Sequence, residues 1–253
     1  MVETVEYKKY DEGYGEICLN RPAKHNAISG KMMRELKASL EVAKNDSITF
    51  LVLSGAGKKM FCAGGDLTDL HGDLTPDEAF SYLYPMKDVL YDIVSFPVPV
   101  ICLLNGNALG GGCEIATACD LRIAKDTGKF GFVQTNLGII PGWGGGVLLY
   151  EKVNPSFALQ WLMEASVYEA TTLKEHGWLN RIVSEQEWKN KNELLQPYIT
   201  KSYEQMKILK NQYKKKISSL GLSSMMNEEV RNCSKLWDSK EHRIAVEKFL
   251  KRK

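Results

Sequence analysis

Apolar residues recur along this chain in two rhythms. Short alternating or continuously apolar runs at Val5–Tyr10, Tyr14–Leu19, Phe50–Ser54, Val98–Leu104 and Asp120–Ala124 have the pattern of strands buried on one face or both. Between the second and third lies "SGKMMRELKASLEVAKND". Ser29 can cap a helix there, and Met33, Leu36, Leu40 and Ala43 fall on one helical face. A second helix is expected over Asp77–Ser95, stopped by the prolines of "FPVPV". Strands alternating with helices predict an α/β architecture with crossover connections.

From about Pro155 the pattern becomes helix after helix, and the last sixty residues hold no good strand candidate. The expected division is an α/β core over residues 1–195 and a helical C-terminal region over 196–253. No internal repeat or low-complexity linker separates them, so the helical region is expected to dock.

Composition narrows the partners more than the fold. At 44% apolar and 25% charged residues, a chain of 253 residues can bury a sizeable core. A net charge of +2 lacks the concentrated basic footprint of a nucleic-acid binder. The six cysteines form no CxxC pair, and none of the four histidines stands at ligand spacing to one, so no metal site is expected. Cys102, in "PVICLLNG", reads as a free thiol packed like a small hydrophobe. "MVETVEYKKY" is not a signal peptide, and no apolar segment reaches the ~20 residues that span a bilayer. The expectation is a reduced, cytoplasmic protein without membrane partners.

The candidate chemistry lies in glycine-rich turns. "NGNALGGGCEIATACD" (Asn105–Asp120) sets three glycines and the carboxylate of Glu114 before an apolar helical run. "MFCAGGDL" (Met60–Leu67) follows a strand, and "GIIPGWGGG" (Gly138–Gly146) comes later. Glycines let a backbone approach a ligand closely, and amides at a helix start favour negative charge. A phosphate loop would need a Gly-Lys-Ser/Thr ending that is absent here, and neither turn fits G-x-G-x-x-G cleanly. Close helix–strand packing and an anion-stabilising site are the other uses open to these glycines.

Taken together, "LNRPAKHNAIS", "FCAGGDL", "GNALGGGCEIATACDLRIA", "FGFVQTNLGIIPGWGGG" and "EATTLKEHGWLNRIV" resemble the signature segments of the enoyl-CoA hydratase/isomerase (crotonase) superfamily, in its order and spacing. The resemblance implies a spiral of ββα units followed by C-terminal helices that build trimers or dimers of trimers. It also implies an acyl-CoA substrate whose enolate is held by two backbone N–H groups, here those of Gly65 and Gly111. Removing one donor of such a pair typically costs about a hundred- to a thousand-fold in rate. Coenzyme A would enter as part of the thioester, with no separate cofactor or metal. Ala23, Lys24 and Ala63 would lie by its nucleotide end, and Gly64, Asp66, Leu67, Gly110 and Trp143 would line the bound thioester. The basic run Lys207–Lys216 is expected to be a solvated helix face. His71, Tyr82 and Tyr84 fall in the variable segment that closes the acyl site in the superfamily.

Glu114 stands where the superfamily's hydratases place one catalytic glutamate. The second belongs in "FGQPE", and this chain has Gln134 there. An amide orients groups by hydrogen bonds but does not shuttle protons. "GIIPGWGG" is similar to ethylmalonyl-CoA decarboxylase-like members, which usually carry histidine at the position of Gln134. Hydration or isomerisation, decarboxylation, and non-catalytic acyl-CoA binding are therefore the reactions and roles to weigh.

Overall fold

The computed structural model describes residues 3–66, 74–218 and 221–251. Its elements are β1 (Val5–Lys9), β2 (Gly15–Leu19), α1 (Gly30–Asn45), β3 (Leu51–Gly55), β4 (Met60–Cys62), α2 (Pro76–Val94), β5 (Val100–Leu104), β6 (Asn107–Leu109), α3 (Gly111–Ala118), β7 (Leu121–Lys125) and β8 (Lys129–Gly131). They continue as α4 (Gly145–Lys152), α5 (Pro155–Glu164), β9 (Tyr168–Glu169), α6 (Ala170–Glu175), β10 (Arg181–Val183), α7 (Glu185–Trp188), α8 (Lys191–Ile199), α9 (Tyr203–Ser218), α10 (Leu222–Lys235) and α11 (Lys240–Leu250).

Two sheets share the strands. The larger runs β1-β2-β3-β5-β7-β10 and the smaller β4-β6-β8-β9. Two successive turns of chain each give one strand to each sheet and then a helix: β3, β4, α2, followed by β5, β6, α3. This is the expected spiral of ββα units. Pairing is parallel except for β1 with β2 and β8 with β9.

The five expected strands appear with ends displaced by one or two residues. The short strands β4, β6, β8, β9 and β10 escaped the pattern because two or three residues cannot display an alternation. In α1, Ser29 caps by accepting from Met32 N–H, and the buried stripe is Met32, Leu36, Leu40 and Ala43. Met32 thus takes the core position expected for Met33.

Strand alternation divides the interior into two cores. Leu51, Leu53, Val100, Cys102 and Leu104 face one. Val52, Ile101 and Leu103 face the other, where Leu194, Leu195 and Met206 cover them. Burying each such aliphatic side chain contributes about 1.5–3 kcal/mol, so α8 and the start of α9 complete the core. The expected boundary after residue 195 falls inside α8.

Buried charge adds a further tie. Lys210, on α9, is buried and donates to both carboxylate oxygens of Asp120 at 2.7 and 2.6 Å. The expected solvated face of Lys207–Lys216 is interrupted there, because Asp120 offers this lysine a partner beneath the helix.

Candidate active site

The first loop folds as a single 3-10 turn, Pro22–Lys24, and reverses through His25 and Asn26, both with positive φ (55° and 52°). Asn26 makes that turn hold. Its buried side chain accepts from Arg21 N–H (2.9 Å) and donates to the carbonyls of Ala56 and Met60 (2.9 Å each). Ala23 and Lys24 are left exposed at the surface. Ala63 N–H donates to the His25 carbonyl at 3.1 Å, which holds Ala63 against the turn that follows Ala23 and Lys24.

Gly64 follows with φ 93°, a conformation that side-chain-bearing residues rarely adopt. Its carbonyl accepts from Ile28 N–H (2.8 Å), and Asp66 N–H donates to the Ile28 carbonyl (2.8 Å). Between them, Gly65 N–H makes no hydrogen bond among the described residues. Asp66, expected beside the ligand, has its carboxylate 3.0 Å from the Arg21 guanidinium. That ion pair fastens the first loop to the Gly64–Gly65 turn. Leu67 and His71 lie outside the described residues.

The three glycines of the opening motif form the start of α3. Gly110 (φ 53°) sits at the N-cap, and its N–H donates to the Gly131 carbonyl at 2.8 Å. Gly111 is the first helical residue, so its N–H has no partner within the helix, and it makes no hydrogen bond among the described residues. A Cβ on Gly64 would come within 3.0 Å of the Gly111 nitrogen. The two glycine turns therefore touch at Gly64 and Gly111, with Gly65 the residue after that contact and Gly111 at the positive end of α3.

Glu114 lies one turn into α3 and is 2% exposed. Its Oε2 accepts from Trp143 N–H (2.9 Å) and Gly145 N–H (3.0 Å). Its Oε1 accepts from Gln134 Nε2 (2.9 Å) and Gly142 N–H (3.4 Å). Burial pushes this carboxyl upward, and the amides of Gly145, Trp143 and Gly142, with Gln134, pull part of the way back. Four donors match the roughly four lone-pair sites of a carboxylate, which leaves no open face for a water to be deprotonated.

Gln134 is equally buried, at 7% exposed. One hydrogen of its Nε2 serves Glu114, while its Oε1 has no partner among the described residues. Trp143, open beforehand as a pocket wall or a core indole, is 6% exposed and packs in the core against Gly111. Tyr84 is half-buried beside Phe80 on α2 and packs against the main core.

A second buried acid escaped the sequence reading. Glu229, on α10, accepts from Gly146 N–H (3.3 Å) and Val147 N–H (2.6 Å) at the start of α4. Its burial and the neighbouring Glu114 charge push its carboxyl well above the usual range. The signal was present: Leu222, Met226, Val230 and Cys233 form the buried stripe of α10, and Glu229 lies on it.

As an arrangement, the amides of Gly65 and Gly111, both without partners among the described residues and carried on touching turns, are donors available to an oxyanion, and the adjoining carboxylates organise the loop beside them. No group of three or more His, Cys, Asp or Glu side chains among the described residues could hold a metal ion, and all six cysteines are free thiols. None of the described helices is long and apolar enough to cross a membrane.

A model of the enoyl-CoA hydratase/isomerase family matches residues 9–253. The chain belongs to the enoyl-CoA hydratase/isomerase family. It is 33% identical to an ethylmalonyl-CoA decarboxylase of Xenopus laevis over 182 residues, which cover 72% of this chain and 60% of that protein. It is 35% identical to a crotonyl-CoA hydratase of Syntrophomonas wolfei over 178 residues, covering 70% and 68%. Among solved structures, an enoyl-CoA hydratase from Thermoplasma volcanium superposes with TM-score 0.79 at 28% identity, covering 98% of both chains. One from Bacillus halodurans gives TM-score 0.87 at 21% identity, covering 97% of this chain and 99% of that one, a likeness of fold. The ββα spiral described above is thus the crotonase fold of the enoyl-CoA hydratase/isomerase family.

Proposed function

We propose that this member of the enoyl-CoA hydratase/isomerase family is an acyl-CoA enzyme that works through a thioester enolate, and that its reaction is decarboxylation of a malonyl-type thioester. One observation carries this choice. The carboxylate of Glu114 is filled by four donors, while the amides of Gly65 and Gly111 remain without partners among the described residues. Such a site has its oxyanion donors ready and no free base.

Decarboxylation asks for that combination. The bond between the α-carbon and the carboxylate carbon breaks and CO2 leaves. The bonding pair passes into the enolate, whose oxygen accepts from Gly65 and Gly111, and water then gives the α-carbon a proton and leaves as hydroxide, which CO2 takes up as bicarbonate. The second hydrogen of Gln134 Nε2 is a donor for the departing carboxylate. A glutamate there would set a second carboxylate beside Glu114 and add a repulsion of about 4 kcal/mol at roughly 4 Å and an effective dielectric of 20, close to a thousand-fold. The ethylmalonyl-CoA decarboxylases among the relatives support the same assignment.

In this reading Ala23, Lys24 and Ala63 flank the nucleotide end of CoA, Gly64 and Gly110 shape the thioester cleft, and Trp143 walls the acyl group. The helical C-terminal region is assigned to oligomerisation. Hydration of an enoyl-CoA is the second reading, supported by the unpartnered Gln134 Oε1, which can accept from a water, and by the crotonyl-CoA hydratase relative.

A panel of crotonyl-CoA, a 3-enoyl-CoA, methylmalonyl-CoA and ethylmalonyl-CoA separates these outcomes. CO2 release with negligible hydration is expected. Fast crotonyl-CoA hydration would overturn the decarboxylase assignment, and thioester binding without any turnover would favour a non-catalytic binder.

A further inference from the structure

Helix α4 begins without a cap of its own. Its N-cap is Gly144, and no side chain from the cap residue meets its first amides. Two acids from distant elements do so instead. Glu114 of α3 takes the N–H groups of Gly142, Trp143 and Gly145, and Glu229 of α10 takes those of Gly146 and Val147. The fit is close on both sides: a Cβ on Gly145 would lie 2.3 Å from Glu114 Cβ, and one on Gly146 would lie 2.6 Å from Glu229 Oε2. Met226 of α10 fills the space beside Gly144 in the same way.

Trp143 belongs to this clamped segment. Its indole lies directly against Gly111, since a Cβ there would fall 2.1 Å from Trp143 Cζ3. The residues that fix Gly142–Val147 therefore fix what stands next to the Gly111 amide. A carboxylate on a buried helix stripe costs several kcal/mol unless it is hydrogen-bonded, and apolar packing alone would give α10 no reason to carry one.

We propose that Glu229 is a positioning residue of this site: by holding the Gly146 and Val147 amides it sets the placement of Trp143 over Gly111, so that α10 shapes the oxyanion cleft. This rests on the enolate reading for its catalytic consequence, and not for its structural one. Displacements of about 1 Å in a site of this kind cost roughly a hundred-fold in rate.

The test uses the full chain labelled with 5-fluorotryptophan, whose five tryptophans include Trp143, identified in the 19F spectrum by Trp143→Phe. In Glu229→Gln one acceptor oxygen is replaced by a donor that faces amides. The Trp143 resonance is expected to shift or broaden while those of Trp161, Trp178 and Trp188 stay in place. With the thioester that the panel selects, kcat is expected to fall at least ten-fold with KM changed less than two-fold.

Glu229→Asp, which withdraws the carboxylate by one methylene, is expected to give the same pattern and serves if the glutamine variant does not fold. An unmoved Trp143 resonance in a folded variant overturns the proposal, as does an equal disturbance of all the tryptophans, which marks a general packing role. Failure of the enolate reading is recognised separately, by wild-type protein that turns over no thioester while the spectrum still reports on Glu229.

Discussion

Replacing Gly111 with alanine sets two effects against each other. Removing a glycine restricts the unfolded chain and stabilises by about 0.4–1 kcal/mol where the backbone tolerates it, as the first helical residue of α3 should. The new Cβ, however, would sit 2.1, 2.4 and 2.7 Å from Cζ3, Cη2 and Cε3 of Trp143. Carbon pairs are at ease near 3.5–4 Å, so the indole must retreat by more than about 1 Å. It is 6% exposed and packed in the main core, and overpacking there costs about 1–3 kcal/mol. Overpacking wins, and Gly111→Ala should lose about 1–2 kcal/mol. Urea unfolding followed by circular dichroism measures this without reference to any substrate. Adding the same change to Trp143→Ala should cost nothing or stabilise, because the obstructing ring is gone. If Gly111→Ala is as stable as wild type, or costs the same in both backgrounds, the close approach of Trp143 to Gly111 is refuted.

Glu114→Gln should lower stability by about 2–3 kcal/mol, since amides of Trp143 and Gly145 lose a charged acceptor. Wild-type stability with abolished activity would instead identify Glu114 as a free base. Both Glu114 and Glu229 have raised folded pKa values, so the stability they contribute is present below about pH 4.3 and is lost as pH climbs through the raised values. Urea midpoints at pH 5–8 should therefore show wild type losing ground to Glu229→Gln as pH rises, and a difference that stays flat would contradict the sign. Lys210→Met leaves the largely enclosed Asp120 carboxylate with the Val100 N–H as its one remaining hydrogen-bond donor among the described residues, and should cost about 3–5 kcal/mol. The double change with Asp120→Asn should recover most of that loss, and a simple sum of the two single losses would count against the pair.

Much of the fold and part of the site can be read directly from the sequence. The long helices α1 and α2 declare themselves because burial acts on a repeating face, β3 and β5 because their runs are apolar on both faces, and glycine turns because few other residues adopt their backbone. The order of those turns was sufficient to point to the crotonase fold and to single out Gly65, Gly111, Glu114 and Gln134. Sequence did not show what each polar group does once the chain closes. Asp66 turned out to pair with Arg21, Lys210 to lie buried on Asp120, and Glu114 to have both oxygens occupied. Each outcome depends on a partner between 20 and 90 residues away, and hydrogen-bond acceptors and charges are claimed by whichever donor the packed backbone brings close. Glu229 is the clearest case. Its place on an apolar stripe was written in the sequence, but only the folding of α10 against the start of α4 supplied the two amides that make a buried acid tolerable there and connect it to Trp143 and Gly111.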